Sequence, residues 1–279
     1  MILFPHCKVN LGLHITAKRD DGFHDLETVF YPLPFYDIIE IIEKENSSAT
    51  EPEFSSTGIE IPGPGNNLCV DAWHILKKDH PSLPSVKMHL HKAIPTGAGL
   101  GGGSSDASFT LMLINEKFKL GLSTSQLMSY ALKLGSDCPF FLMKEPAFAK
   151  GRGEILEQVE LNLSDYIFAL VSPGIHVSTR DAFAEIIPSS PKKSIREIIQ
   201  QPVESWKEEL KNDFEVTVFR KHPRIASIKD ELYKMGALYA SMSGSGSTVF
   251  GIFKQDSNLE SYIRFEDASV KVMKGSIQK

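Results

Sequence analysis

The chain has 279 residues, 42% of them hydrophobic and 23% charged, with a net charge of −5; that suits one large globular domain or two modest ones. No basic stripe or tail suggests nucleic-acid binding, no apolar run approaches the roughly 18 residues that span a bilayer, and residues 1–8 lack the basic-then-apolar order of a secretory signal. Cys7, Cys69 and Cys138, the three cysteines, are too scattered for zinc or redox chemistry and suit a reducing compartment, so the expectation is a cytoplasmic protein.

Residues 7–15 alternate, with Cys7, Val9, Leu11, Leu13 and Ile15 on one face and Lys8, Asn10, Gly12 and His14 on the other, which predicts a half-buried strand. The turn signal Asp20-Asp21-Gly22 leads into a second strand over 26–33, and a third is expected over 37–43. Residues 44–66 are polar and rich in Ser, Pro, Gly and Glu, which reads as loop with a weak hairpin. From Asn67, an apt cap, a helix is expected with Cys69, Ala72, Trp73 and Leu76 on one stripe.

Residues 86–92 alternate again as a strand. After a glycine-rich stretch, a helix capped by Ser104 or Ser105 should run through Ala107, Leu111 and Ile114, and another over 123–134 should stop at Gly135. The texture changes near Pro146, dividing the chain into domains of 1–150 and 151–279. Beyond it lie a strand over 166–172, a capping box at Ser194–Glu197 opening a helix that Pro202 ends, and a helical stripe of Ile225, Ile228, Leu232 and Met235. A second small-residue loop over 241–247 precedes a strand at 248–253. The fold class is α+β.

Five of the seven residues from Gly97 to Gly103 are glycine, lying between a predicted strand and a predicted helix. Glycine permits positive φ and close approach of the backbone to a ligand, and a helix start adds unpaired amides and partial positive charge. The combination makes an anion cradle. Gly97-Ala98-Gly99-Leu100-Gly101-Gly102 fits G-x-G-x-x-G, but the acidic residue expected ~20 positions on in a dinucleotide fold is missing, and no Gly-Lys-Ser/Thr completes a Walker loop. A turn that merely packs closely is the alternative.

The stretch Pro95-Thr96-Gly97-Ala98-Gly99-Leu100-Gly101-Gly102-Gly103-Ser104-Ser105-Asp106-Ala107 closely resembles the phosphate loop of the GHMP kinases, and Ser243-Gly244-Ser245-Gly246 is similar to that family's C-terminal glycine motif. Lys8-Val9-Asn10-Leu11, Asp21-Gly22-Phe23-His24-Asp25-Leu26 and Gly135-Ser136-Asp137-Cys138-Pro139 resemble the branch that acts on diphosphocytidyl methylerythritol in non-mevalonate isoprenoid synthesis. Phe23 stands where that branch often has Tyr, and Ser136 where Ala is more usual.

The resemblance implies an N-terminal ribosomal-protein-S5-like domain, a C-terminal ferredoxin-like domain, and a kinase using ATP with Mg2+. As a monomer or weak homodimer it would serve small molecules, with neither nucleic acid nor membrane as partner. The loop from Pro95 to Ser105 (Pro95, Thr96, Gly97, Ala98, Gly99, Leu100, Gly101, Gly102, Gly103, Ser104, Ser105) would hold the phosphates, and Asn67 would reach the adenine unless it only caps its helix. Asp137 is the implied base, in an apolar setting that disfavours a bare carboxylate, and Lys8 the implied cation. Asn10 would bind substrate; Phe23 and His24 would recognise cytosine, and Phe183 would supply the second face of a ring sandwich. On residue type alone, Lys8 would be a solvated strand position, Asp137 a turn aspartate and Phe183 a helix-core ring. The rivals are another kinase of the family, acting on mevalonate or homoserine, a sugar-binding sensor of the same fold, and a nicotinamide oxidoreductase.

Overall fold

The computed structural model describes residues 1–44, 51–61, 67–255, 259 and 263–277, which form two compact units. The first gathers Met1–Cys7, Phe35–Thr96 and Gly101–Lys144; the second gathers Lys8–Pro34, Gly97–Leu100 and Glu145–Lys279.

The strands of the first unit are β1 (Ile2–Leu3), β4 (Ile38–Glu43), β5 (Glu53–Gly58) and β6 (Val86–Lys92), in the order β1-β4-β6-β5. Its helices are α1 (Leu68–Asp79), α2 (Gly102–Lys117) and α3 (Thr124–Leu134). Asn67 caps α1 by accepting from the Cys69 amide at 2.8 Å, and Cys69, Ala72, Trp73 and Leu76 are buried as their stripe predicts. Ser123 and Gln126 form a capping box on α3, and the Gly135 amide closes its far end on Ala131.

Two expectations fail here. Within 44–66, β5 pairs parallel with β6, from Glu53 opposite Lys87 to Gly58 opposite Lys92; residues 45–50 and 62–66 lie outside the described residues. Strand β5 is polar and mostly exposed, so no hydrophobic period marks it, and its main-chain ladder is joined by Ser55 and Thr57 hydroxyls on His89 and His91. Helix α2 starts before the serines: Gly101, at φ +70°, is its N-cap and offers no side chain, and the Ser105 amide already bonds to the Gly101 carbonyl. Serine favours a cap, but a left-handed glycine three residues before Ser104 opens the helix first.

In the second unit, apart from the first two residues of β2 and the last two of β3, β2 (His6–Lys18), β3 (His24–Tyr36), β7 (Ala147–Lys150) and β8 (Ile155–Gln158) form one sheet in that order. Strands β9 (Leu163–Ser172), β10 (Tyr239–Met242), β11 (Val249–Lys254) and β12 (Ser269–Gly275) form another, ordered β10-β11-β9-β12. The helices are α4 (Thr179–Phe183), α5 (Ile195–Ile198), α6 (Trp206–Glu209), α7 (Phe214–Lys221) and α8 (Pro223–Lys234), and α8 puts Ile225, Ile228 and Leu232 into a core with Ala169, Val171, Val249 and Phe253. The Ser194 capping box is present, but α5 runs only four residues. Ser241 and Met242 belong to β10, so the small-residue loop begins at Ser243.

Strand β2 departs most from its pattern. Its polar face is covered as well: Lys8 is 3% exposed and Asn10 2%. Groups with those polarities stay buried only when bonded, and the bonds they make build the candidate site.

Candidate active site

The glycine loop is shaped by three carbonyl tethers within the second unit. Ala98 O accepts from the Thr248 amide at 3.2 Å, Gly99 O from the Ser243 hydroxyl at 2.8 Å, and Leu100 O from the Lys8 amide at 3.0 Å. A trans peptide points its N–H opposite its C=O, so the amides of Gly99, Leu100 and Gly101 each face away from the tether on the carbonyl of the same peptide. Gly97, Gly99 and Gly101 have φ of +66°, +79° and +70°, and a Cβ on Gly99 would lie 1.9 Å from Ser243 O. Consecutive amides turned one way make an anion nest. Pro95 is half-buried and Thr96 exposed just ahead of it.

In the first unit α2 opens with Gly102, Gly103, Ser104 and Ser105. The Ser105 hydroxyl is buried with no hydrogen-bond partner among the described residues. Beside this turn sits a buried ionic cluster: Lys92 at the end of β6 donates to Asp37 and, at 2.7 Å, to Asp106. Asp37 also accepts the amides of Ala93 and Ile94, at 2.6 and 2.8 Å. Burial pushes the Asp106 carboxyl up to about 7 despite Lys92. Burial disfavours the Lys92 ammonium, but the two carboxylates outweigh it and raise its pKa. A Cβ on Gly102 would meet Lys92 Nζ at 2.9 Å, so the glycine leaves room for the cluster.

On β2, Lys8 Nζ lies 5.0 Å from the centre of the Phe30 ring and donates to Asn10 Oδ1 at 2.6 Å. Asn10 Nδ2 donates to Thr28 Oγ1 at 3.0 Å, and Thr28 donates to Gly12 O at 2.6 Å. The Asn10 amide donates to the Ser243 hydroxyl at 3.2 Å, the same hydroxyl that holds Gly99. Lys8, Asn10 and the loop carbonyls of Gly99 and Leu100 are thus one hydrogen-bonded assembly.

Asp137 sits at the N-terminal cap of a 3₁₀ turn, Cys138–Leu142, yet makes no side-chain cap bond. All five residues of the turn are buried. His6 packs against Phe140 and Phe141, its Nδ1 on Cys7 O at 2.9 Å, and burial lowers its pKa to about 4.

The rings at the β2–β3 hairpin lie in two pairs. Phe183 stacks on His24, centres 4.8 Å apart and planes 19° off parallel, and meets Phe214 edge-on. Phe23 is half-exposed, with the Arg152 guanidinium 3.8 Å above its ring. The structure therefore brings His24 and Phe183 together and gives Phe23 a cation.

Lys92, Thr28 and Arg152 have no role assigned from sequence, and Ser243 is named there only as part of the C-terminal glycine motif. Lys92 carried a signal: it falls in phase with the buried Val86, Met88 and Leu90 of β6, where a lysine needs a buried partner.

Residues 67–145 match the family model described as "GHMP kinases N terminal domain", and residues 194–265 match "GHMP kinases C terminal". A 4-diphosphocytidyl-2-C-methyl-D-erythritol kinase of Azobacteroides pseudotrichonymphae genomovar. CFP2 is 51% identical over 257 residues, covering 91% of this chain and 94% of the relative. One from Bacteroides thetaiotaomicron is 52% identical over 262 residues, 93% and 94% of the two chains. A crystal structure of 4-(cytidine 5'-diphospho)-2C-methyl-D-erythritol kinase superposes with a TM-score of 0.79 at 28% identity, covering 99% of this chain and all of the other. A homoserine kinase from Cytophaga hutchinsonii shares the fold, with a TM-score of 0.66 at 14% identity over 96% and 94% of the two chains.

Proposed function

This chain belongs to the GHMP kinase family, and we propose that it transfers the terminal phosphoryl group of ATP to the 2-hydroxyl of 4-diphosphocytidyl-2-C-methyl-D-erythritol, in non-mevalonate isoprenoid precursor synthesis. The observation that carries the choice of acceptor is the contrast in identity: relatives named for that substrate are half identical over more than nine-tenths of this chain, whereas the homoserine kinase matches at 14%, in fold alone. The retained Lys8 and Asp137 argue against a sensor that has lost its chemistry.

Phosphoryl transfer asks the protein for position and charge stabilisation more than for covalent help. The amides of the Pro95–Ser105 loop bind the nucleotide phosphates, a role that fits the three tethered carbonyls and the positive φ of Gly97, Gly99 and Gly101. Asn67, its side-chain oxygen bonded to its own helix, reaches the adenine through its remaining groups. Asp137 orients the attacking hydroxyl and takes its proton, and Lys8 supplies positive charge where negative charge develops. Asn10 contributes to holding the substrate. His24 reads the edge of the cytosine, and Phe23 and Phe183 offer faces to it.

A magnesium ion suits this site as a companion of the phosphates. The described residues hold no group of three His, Cys, Asp or Glu to cage a metal, while the buried Ser105 hydroxyl has no partner among them. Ser104 or Ser105 would approach the ion, which would neutralise phosphate charge. The chain is proposed to act in the cytoplasm and to divide functionally into 1–150 and 151–279.

The test is an ADP-release assay with the cytidylyl substrate, mevalonate, homoserine and galactose. The cytidylyl compound should be turned over, and preference for any other would end this reading. Asp137→Asn should lower turnover about 10²- to 10⁴-fold, with nucleotide affinity within a few-fold of the wild type.

A further inference from the structure

Lys8, Asn10 and Thr28 are all buried, at 3%, 2% and 0% exposure, and the bonds that join Thr28 to Asn10 and Asn10 to Lys8 can be followed proton by proton. A threonine hydroxyl has one hydrogen, and here it goes to Gly12 O at 2.6 Å. A carbonyl only accepts, so this hydrogen is committed. Toward Asn10, Thr28 Oγ1 can then only accept. The Asn10 side chain, 3.0 Å away, must turn its NH2 end to Thr28, which leaves its oxygen facing the Lys8 ammonium at 2.6 Å. Rotated by half a turn, the amide would set N–H against ammonium and oxygen against a hydroxyl lone pair, and both contacts would repel.

We propose that Thr28 is a positioning residue: by committing its proton to Gly12 it fixes the orientation of the Asn10 amide and thereby aims Lys8. Gly12 takes part because its carbonyl is the acceptor that begins the chain, at a backbone φ of +67° inside β2 where glycine is at ease. A bulky residue there would press on Leu210, 2.6 Å from the added Cβ. Thr28 acts at one remove, through Asn10. The inference rests on Lys8 being the cation of the reaction.

Thr28→Val keeps the shape and removes the hydroxyl, so the amide loses its director. Turnover of the cytidylyl substrate should fall about 10- to 100-fold, the scale on which small misplacements of reacting groups act. The Michaelis constant for ATP should stay within about twofold, because no nucleotide contact is removed. Thr28→Ser, which restores the hydroxyl with one carbon fewer, should recover turnover to within about threefold of the wild type. If Thr28→Val does not fold, Thr28→Ala carries the same expectation. A folded valine or alanine variant with wild-type turnover overturns the proposal. So does a serine variant as slow as the valine one, because loss without rescue marks packing, not hydrogen-bond direction. Lys8→Met separates the two readings: if it keeps full turnover, the role of Lys8 is wrong; if it is inactive while Thr28→Val is not, only the role of Thr28 is wrong.

Discussion

Among the described residues two lysines are buried, Lys8 and Lys92, at 3% and 2% exposure, and they are held in different ways. Lys92 donates to two carboxylates, Asp37 and Asp106. Lys8 donates to the neutral amide oxygen of Asn10 and lies over the Phe30 ring. Carboxylates at that range lock a charge in place, and removing one member strands the others in a poor dielectric. An amide oxygen and a ring face orient an ammonium through directed contacts. The first arrangement ties the end of β6 to the first turns of α2, and the second orients a charge on the strand whose main chain holds the Leu100 carbonyl. Lys92 is read as a structural ion, and Lys8, from its place in the family motif, is proposed as the reactive one.

Exchanging their fates would break that comparison. Lys8→Met should cost the most in chemistry, roughly 100- to 1,000-fold in turnover, the usual effect of losing one electrostatic donor, and should move the denaturant midpoint less than Lys92→Met does. Lys92→Met should instead cost about 3–5 kcal/mol of folding stability, since two buried carboxylates lose their counterion. Parallel urea titrations and ADP-release assays decide it; a Lys92 variant that is stable but slow would make the two lysines alike.

The smallest effect sharpens the account of the cluster. Burial raises the Asp106 carboxyl from 3.8 to about 7, so across that window the native chain holds a proton that the unfolded chain has released. Stability from this group therefore falls as pH rises toward 7. Asp106→Asn has no such proton, and its stability relative to wild type should rise between pH 5 and 8. His6, lowered to about 4 by burial, favours the opposite trend but contributes equally to both proteins and drops out of the difference. Parallel pH curves for the two would remove Asp106 from the account.

What the sequence made legible was local. The caps of α1 and α3 lie within three residues of the groups they serve, and the glycine stretch carries its backbone freedom in its composition. The start of α2 was misplaced by local reasoning of the same kind, because Ser104 and Ser105 are good caps by type while Gly101 wins by conformation. Long-range partnership was not legible. Asp37 lies 55 residues from Lys92, Thr28 lies 18 from Asn10, and Ser243 lies 144 from Gly99. No period or spacing encodes such pairs. Strand β5 was hidden for another reason, since its pairing rests on backbone and hydroxyls and leaves no apolar trace. The hairpin rings were named from motif resemblance, which gives residue types but no partners, so the Arg152 contact with Phe23 had no earlier sign.

All three thiols, Cys7, Cys69 and Cys138, are buried, and all belong to the first unit. Burial raises the pKa of Cys69 and pushes that of Cys138 up to about 11, so little thiolate forms at neutral pH. A thiol-specific reagent added to the native protein meets a reactive sulfur only when the first unit opens, and the second unit contributes none. The rate of alkylation, followed by mass, is therefore a clock for the opening of one half of the molecule. It needs no engineered label, and it can be run with and without nucleotide to show whether the ligand slows it.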